Sequence, residues 1–219
     1  MTRWATFDCY GTLIDWNGGI RAELVRVFGA DRADEQLRRY HELEPELEAD
    51  GSRSYRDVMT EAMRQLGAPA GEEAGLADSL PRWQPFPEVR ASLEDVRRRG
   101  WMLAILSNSD PDMIEASKRL LGVPFDETVV AGEIGSYKPA LGHWREFSAR
   151  TAADPDRHVH VGASRFHDVA PAGELGLPTV WINRLAEDLS PGNLVQPVPT
   201  VELPDLTGLG AVLDDLVKE

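Results

Sequence analysis

The spacing of hydrophobic positions divides the chain into two regions with different periods. Residues 4–7 form a short apolar run that is typical of a buried β-strand. From residue 16 to 83, apolar residues recur every three or four positions, which is the period of an amphipathic helix. Helices are therefore predicted over residues 19–29, 34–50 and 54–66.

After a proline-rich stretch at residues 81–87, helical and strand-like segments alternate along the chain. The predicted helices cover residues 87–99, 111–121, 140–151 and 168–175, and a terminal helix begins near residue 206. The predicted strands cover residues 101–106, 128–131, 158–161 and 179–182, and a proline-containing extended segment follows them. Such alternation is typical of a parallel sheet with helices on both faces. An α/β fold with a Rossmann-like, doubly wound core is therefore expected.

The helical region lies between the first strand and the rest of the predicted sheet. It is therefore expected to be a helical cap inserted into the core after the first strand, rather than a second tandem domain. The predicted boundaries are residues 1–15 and 84–219 for the α/β core and residues 16–83 for the cap.

Charge and composition exclude several classes of partner. The 219 residues carry a net charge of −14, which repels nucleic acid and anionic membranes and requires a locally basic pocket for a small anionic substrate. Acidic residues are densest over residues 42–50, where a solvated helix surface is expected. No apolar run reaches membrane-spanning length and no signal peptide is recognisable, so a cytoplasmic location is expected. The single cysteine, Cys9, excludes an internal disulfide and is expected to be a small buried hydrophobic residue.

Polar side chains follow four of the predicted strands, whose carboxyl ends converge on one crevice in a parallel sheet. These residues are Asp8 with Thr12 after the first strand, Ser107 and Asn108 after the second, Lys138 beyond the third and Asp168 after the fourth.

The chemistry that this set indicates is covalent catalysis by a carboxylate. Asp8 is the predicted nucleophile, which forms an ester or acyl phosphate that water then cleaves. Lys138 is expected to keep Asp8 ionised and oriented, because a nearby opposite charge favours the carboxylate. Ser107 and backbone N–H groups near Asn108 are expected to bind the anionic group of the substrate. Asp168 is expected to position or activate the hydrolytic water, or to hold Lys138 in place.

In its residue types and their order, this set resembles the four-motif signature of the haloacid dehalogenase superfamily. The helical insert also resembles the cap that this superfamily carries after its first motif. Three motifs are most similar to the L-2-haloacid dehalogenase branch: DCYGTL at residues 8–13, LSN at 106–108 and WINR at 181–184. The resemblance implies a hydrolase of that branch, with a small anionic substrate, and it suggests a homodimer.

Two positions separate this chain from the phosphatases of the superfamily. Those enzymes place a second Asp two residues after the nucleophile to protonate the leaving group, whereas this chain has Tyr10. They also place an Asp that binds Mg²⁺ five residues before the position of Asp168, whereas this chain has Ala163. Halide leaves without a proton, so the resemblance implies a metal-independent dehalogenase with no cofactor.

The resemblance implies further substrate-binding residues, some of which depart from the family pattern. Tyr10 matches a pocket aromatic, and Arg39 falls where the dehalogenases have an Arg that captures halide. Trp144 replaces an active-site Tyr, and Ala163 and Arg165 replace a Ser and an Asn. The guanidinium of Arg165 is a candidate partner for a substrate carboxylate, which is inferred from this chain alone.

The leading hypothesis is a metal-independent hydrolase, similar to (S)-2-haloacid dehalogenases, that acts on small 2-substituted carboxylic acids. Three alternatives stay open. They are the same ester chemistry on another electrophile such as a strained ring or a non-halogenated small acid, a Mg²⁺-dependent small-molecule phosphatase, and a binding protein without catalysis on this fold.

Overall fold

A six-stranded parallel sheet forms the centre of the protein, of which the computed structural model describes residues 2–49, 51–187 and 197–218. The strands are β1 (Arg3–Phe7), β2 (Trp101–Ser107), β3 (Glu127–Val130), β4 (His158–Gly162), β5 (Thr179–Ile182) and β6 (Val201–Leu203). Their order is β3-β2-β1-β4-β5-β6, so β1 lies between β2 and β4. This order confirms the predicted Rossmann-like α/β core.

Ten α-helices are described, and eight of them correspond to predicted helices, whereas the two short helices over residues 75–79 and 131–134 were not predicted. The ten helices are α1 (Trp16–Phe28), α2 (Ala30–Glu48), α3 (Tyr55–Gln65), α4 (Gly75–Ser79), α5 (Val89–Arg98), α6 (Pro111–Leu121), α7 (Ala131–Ile134), α8 (Gly142–Thr151), α9 (Ala170–Glu174) and α10 (Leu209–Leu216). Helices α1 to α4 lie between β1 and β2 in the chain, as expected for an insert after the first strand. The division into a core and a cap with the boundaries given above stays a prediction.

Successive side chains of β1 pack on opposite faces of the sheet, as strand geometry requires. Ala5 and Phe7 belong to the larger apolar cluster, which includes residues of α5, α6 and α10. Trp4 belongs to the smaller cluster on the other face, where its ring meets Phe147 of α8 edge to face with centroids 5.1 Å apart. Helices therefore cover both faces of the sheet, which explains why its strands are almost continuously apolar.

The predicted elements differ from the observed ones mainly at their ends. The predicted helix over residues 168–175 starts earlier, as a π-helical turn over Arg165–Val169 that continues into α9. Ser164 caps this turn because its Oγ accepts a hydrogen bond from the N–H of His167. The predicted extended segment includes residues 188–196, which lie outside the described residues, as does position 50 at the predicted end of α2.

The inserted helices are attached to the carboxyl end of the sheet by polar and aromatic contacts. The N–H groups of Tyr55 and Arg56, at the start of α3, donate to the carboxylate of Asp110 at 3.1 and 2.9 Å. These bonds satisfy donors that a helix N-terminus otherwise leaves unpaired. The ring of Tyr55 also stacks on Tyr10, which follows β1. The insert therefore lies against the strand ends where the predicted site residues occur.

The described helices include none with the length and apolar character needed to cross a membrane.

Candidate active site

Three of the predicted residues meet at the carboxyl ends of β1 and β4. The ammonium of Lys138 donates to Asp8 Oδ1 at 2.8 Å and to Asp168 Oδ1 at 2.7 Å. Lys138 is 3% exposed and Asp168 1% exposed, so solvent screens these charges very little. Asp8 directly follows β1, and its side chain is 13% exposed. It is therefore the most accessible carboxylate of this ionic triad.

The second oxygen of Asp8 is held by Thr12. Gly11 turns the backbone with a φ of +91°, a conformation that favours glycine. The hydroxyl of Thr12 then donates to Asp8 Oδ2 at 2.8 Å and accepts from the N–H of Ala163 at 2.8 Å. Both oxygens of Asp8 thus have a fixed donor, which orients the carboxylate plane.

Burial and charge shift the pKa values of the triad in different directions. Burial raises the pKa of Asp8, while the nearby ammonium of Lys138 acts in the opposite direction. Burial alone would also raise the pKa of Asp168, but the charge of Lys138 and the hydrogen bond from His160 outweigh it and lower that pKa. The two carboxylates outweigh the effect of burial on Lys138 and raise its pKa. Asp168 and Lys138 therefore form a permanent ion pair beside Asp8.

Asp168 has partners on both of its oxygens. Its Oδ1 also lies 3.4 Å from His160 Nε2, and its Oδ2 accepts from the N–H of Ser164 at 3.1 Å. Gly162 permits this approach, because a Cβ at that position would lie 2.4 Å from Asp168 Cγ. These contacts favour the role of holding Lys138, among the roles predicted for Asp168.

A chain of buried hydrogen bonds leads from Asp168 through His160 and Thr6 to His158. Thr6 Oγ1 lies 2.8 Å from His158 Nε2 and 2.9 Å from His160 Nδ1. Burial lowers the pKa of both histidines, so they act as neutral hydrogen-bonding groups. This role was not predicted from the sequence. The signal that could have indicated it is that His158 and His160 occupy alternate positions of β4, and that Thr6 lies on the neighbouring strand β1.

A cavity of about 270 Å³ opens beside Asp8. Its walls come from the strand ends, from the segment around Lys138 and from the inserted helices. The lining residues are Asp8, Tyr10, Trp16, His41, Glu44, Pro45, Glu48, Tyr55, Ser107, Asn108, Lys138, Ser164, His167 and Asp168.

Ser107 and Asn108 enter this cavity from the end of β2, as predicted. Ser107 is 1% exposed, and its Oγ has no hydrogen-bond partner within the described part of the chain. Asn108 accepts from the N–H of Lys138 at 2.6 Å and donates to the carbonyl of Lys138 at 3.0 Å. Asn108 therefore holds the backbone of Lys138, and Ser107 offers a hydroxyl that no described residue occupies.

Helix α2 also lines the cavity, with residues that were not predicted to do so from the sequence. His41, Glu44 and Glu48 face the cavity, at intervals of three and four positions along one side of the helix. Burial raises the pKa of Glu44 to about 7, and burial together with the charge of Glu44 raises that of Glu48 to about 9. The expectation of a solvated acidic surface over residues 42–50 was therefore wrong for these two glutamates. Helical spacing was the signal that could have separated them from their neighbours.

Arg39 and Trp144 do not line the cavity beside Asp8. Arg39 is exposed on α2, and at about 100° per residue it lies about 160° around the helix from His41. Trp144 is 3% exposed, belongs to the smaller apolar cluster and meets the ring of His160 with centroids 5.0 Å apart. The apolar stripe of α8 faces the sheet and includes Trp144, so the ring packs in the apolar cluster and not in the cavity beside Asp8.

Arg165 lines a neighbouring cavity of about 490 Å³ that also reaches Asp8 and Tyr10. Its guanidinium donates to the carbonyl of Pro197 and lies 5.3 Å from the Trp181 ring centroid. The predicted contact of Arg165 with a substrate carboxylate would therefore occur in this second cavity.

The residues at the site do not fit the Mg²⁺ site of the superfamily's phosphatases. Ala163 supplies no oxygen ligand from its side chain, and the pKa of Tyr10 is raised by burial, so its hydroxyl stays neutral. Within residues 2–49, 51–187 and 197–218, no group of three or more His, Cys, Asp or Glu side chains is arranged to hold a metal ion.

Comparison with known proteins extends this picture to the whole chain. The family of haloacid dehalogenase-like hydrolases matches residues 2–176. An (S)-2-haloacid dehalogenase of Pseudomonas sp. (strain YL) is 28% identical over 219 residues, which cover 95% of this chain and 91% of that protein. A phosphoserine phosphatase of Thermus thermophilus is 30% identical over 135 residues, which cover 58% of this chain and 53% of that protein.

The fold is shared with a solved L-2-haloacid dehalogenase. That crystal structure superimposes with a TM-score of 0.84 at 23% identity and covers 97% of this chain and 99% of the other. The family match spans β1, the Asp8 that directly follows it, and the segments that carry Lys138 and Asp168. On this match the chain belongs to the haloacid dehalogenase-like hydrolases.

Proposed function

We propose that this hydrolase forms an ester on Asp8 and acts on small 2-substituted carboxylic acids, of which 2-haloacids are the first to test. The observation that carries the proposal is the ammonium of Lys138 between Asp8 and Asp168, next to a free Ser107 hydroxyl in the same cavity. The similarity to the (S)-2-haloacid dehalogenase of Pseudomonas sp. supports the choice of substrate and of the S enantiomer.

In the first step, an oxygen of Asp8 attacks carbon 2 of the substrate. The carbon–halogen bond breaks, halide leaves with the electron pair, and an alkyl ester forms on Asp8. The Ser107 hydroxyl donates to the substrate carboxylate, which places carbon 2 opposite Asp8. Lys138 and Thr12 each donate a hydrogen bond to one oxygen of Asp8, and these two bonds keep the carboxylate in the attacking orientation.

In the second step, water attacks the carboxyl carbon of the esterified Asp8. The 2-hydroxy acid leaves, one proton is released, and the Asp8 carboxylate is restored. The negative charge that develops on the carboxyl oxygen is stabilised by whichever donor, Lys138 or Thr12, contacts that oxygen. Asp168 keeps Lys138 in place through both steps.

The test is halide release from both enantiomers of 2-chloropropionate and 2-bromopropionate, measured in the presence of a chelator. The variants are Asp8→Asn and the matched control Asp34→Asn, which makes the same change at an exposed carboxylate paired with Arg21. We expect release by the wild type and by Asp34→Asn, preference for the S enantiomer, and none by Asp8→Asn. After turnover in water labelled with heavy oxygen, the peptide that contains Asp8 should carry the label.

Halide release that persists in Asp8→Asn, or label that appears only in the product, would contradict the ester mechanism. The match to the phosphoserine phosphatase motivates one further arm, with phosphate esters and Mg²⁺. Phosphatase activity that the chelator abolishes, without any halide release, would replace the proposed reaction with phosphoryl transfer.

A further inference from the structure

The cavity wall formed by α2 carries acids where the resemblance placed a cation. Helix α2 contributes His41, Glu44, Pro45 and Glu48 to the lining, while Arg39 points to solvent. Among the described lining residues of this cavity, Lys138 is the only lysine or arginine. The helix that the resemblance assigned to halide capture therefore presents carboxyl groups rather than a guanidinium to the cavity, which points to a different leaving group.

Glu48 is closely connected to the residues that hold Asp8. Its Oε2 accepts from Asn108 Nδ2 at 3.2 Å, and the same amide group donates to the carbonyl of Lys138. Glu48 is 8% exposed and lines the cavity together with Ser107, whose buried hydroxyl has no partner among the described residues. The cavity thus brings a nucleophile, an unpaired hydroxyl and a buried carboxyl group to one small volume.

The surroundings of Glu48 keep its carboxyl group protonated at neutral pH. Burial is the main cause, and the charge of Glu44 adds to it, so that the pKa of Glu48 lies near 9. Glu44 accepts hydrogen bonds from the hydroxyls of Tyr55 at 2.7 Å and Tyr40 at 3.0 Å. Among the described residues, the titratable and charged groups around Glu48 are Glu44 and Tyr40 on its own helix, Tyr55 on α3, and Tyr137 and Lys138 before α8.

We propose that Glu48 is a general acid, and that the site accepts small carboxylic acids whose leaving atom at carbon 2 is the oxygen of a three-membered cyclic ether. The proposal rests on the proposed role of Asp8 as the nucleophile. Asp8 attacks carbon 2, the carbon–oxygen bond of the ring breaks, and the proton of Glu48 passes to the leaving oxygen. Water then cleaves the ester, and the proton released in that step returns to Glu48, so that the ether and one water become a diol.

Leaving-group chemistry is the reason for choosing oxygen. Halide departs as a weak base and takes no proton, so halide release does not need a general acid. An alkoxide is a strong base, and protonation as the bond breaks contributes about 10²–10⁴-fold to such reactions. The superfamily's phosphatases solve the same problem with an Asp two residues after the nucleophile, and here that position is Tyr10, whose hydroxyl bonds Ser117 at 2.9 Å.

The test compares oxirane-2-carboxylate, followed by glycerate formation, with 2-bromopropionate, followed by bromide release. The variants are Glu48→Gln, which keeps an acceptor for Asn108, and Glu46→Gln, which makes the same change at an exposed position of α2. We expect Glu48→Gln to lower the ratio of oxirane to bromide turnover by about 100-fold at neutral pH, and Glu46→Gln to leave it unchanged.

The pH profile provides a readout that a purely structural role would not change. Oxirane turnover by the wild type should fall above about pH 9, and this alkaline limb should be absent in Glu48→Gln. The inference is overturned if the wild type releases bromide but forms no glycerate, or if Glu48→Gln keeps the wild-type ratio. Failure of the wild type on both substrates overturns the proposed role of Asp8, and this inference falls with it.

Discussion

Lys138 holds two buried carboxylates, so its removal tests the electrostatic reasoning on which the site depends. The substitution Lys138→Met keeps the length of the side chain and leaves Asp8 and Asp168 without a cation. Breaking a buried ion pair by removing one partner costs about 3–5 kcal/mol, because an uncompensated charge remains in a poorly solvated place. With Asp168 1% exposed, we expect a loss of unfolding free energy in that range.

The assay is urea unfolding followed by tryptophan fluorescence, with Lys118→Met as the control. Lys118 pairs with Glu115 at the surface of α6, and such pairs are worth about 0–1 kcal/mol. With a urea dependence of about 2 kcal/mol per molar, Lys138→Met should lower the midpoint by about 1.5–2.5 M. Adding Asp168→Asn to Lys138→Met should recover about 2 kcal/mol, since contacting residues couple by about 0.5–3 kcal/mol.

The loss of unfolding free energy in Lys138→Met should also depend on pH. In the wild type the lowered pKa of Asp168 contributes stability above its unfolded value, and this stability is lost as pH falls through the folded value. Without Lys138, burial raises the pKa values of both carboxyl groups, so the variant loses stability as pH rises through them. The first trend is complete below about pH 5, so the second trend makes the difference larger at about pH 8 than at about pH 5. A loss below about 1 kcal/mol, or a difference that is equal at both pH values, would refute the reasoning.

Three further predictions concern single features of the site. Burial raises the pKa of Asp8, so kcat/KM for 2-haloacids should begin to fall, as the solution is made more acidic, at a pH above the ordinary aspartate pKa of about 4. A fall of kcat/KM only at or below about pH 4 would contradict this prediction. Gly162→Ala should displace Asp168, with a cost of about 1–3 kcal/mol in unfolding free energy and loss of halide release; unchanged activity would show that the close approach is not needed. Arg39→Ala should leave KM for 2-haloacids unchanged, and a large rise in KM would show that this exposed residue reaches the substrate.

The triad could be predicted from the sequence because strand ends are fixed by the topology of a parallel sheet. Asp8 and Asp168 follow β1 and β4, which are hydrogen-bonded neighbours, with Phe7 beside Val161. Any parallel pairing of these two strands brings their carboxyl ends to the same edge. The position of Thr12 followed in the same way, since the turn at Gly11 returns the chain to Asp8.

The wall formed by α2 could not be predicted with the same means. Which residues line this wall depends on how α2 is rotated about its own axis, and acidic residues occur on several sides of that helix. Sequence periodicity indicates the apolar face of a helix more clearly than its polar face. Tyr40 and Leu47 mark the packed side, and Glu44 and Glu48 lie on the same side and face the cavity, whereas Arg39 faces solvent. For Trp144 the apolar stripe of α8 favoured packing, whereas the resemblance favoured substrate contact, and the structure places the ring in the apolar cluster.

The charge balance of the cavity explains how acidic walls are compatible with the anionic substrate proposed above. Asp8, Asp168 and Lys138 together carry a net charge of −1, and ionised forms of Glu44 and Glu48 would increase this to −3. Burial raises the pKa values of these two glutamates to about 7 and 9, so near neutral pH Glu48 is uncharged and Glu44 is only partly ionised. A protonated carboxyl group donates a hydrogen bond and carries no charge that would repel an anion. The wall therefore acts largely as a hydrogen-bond donor, which follows from its burial.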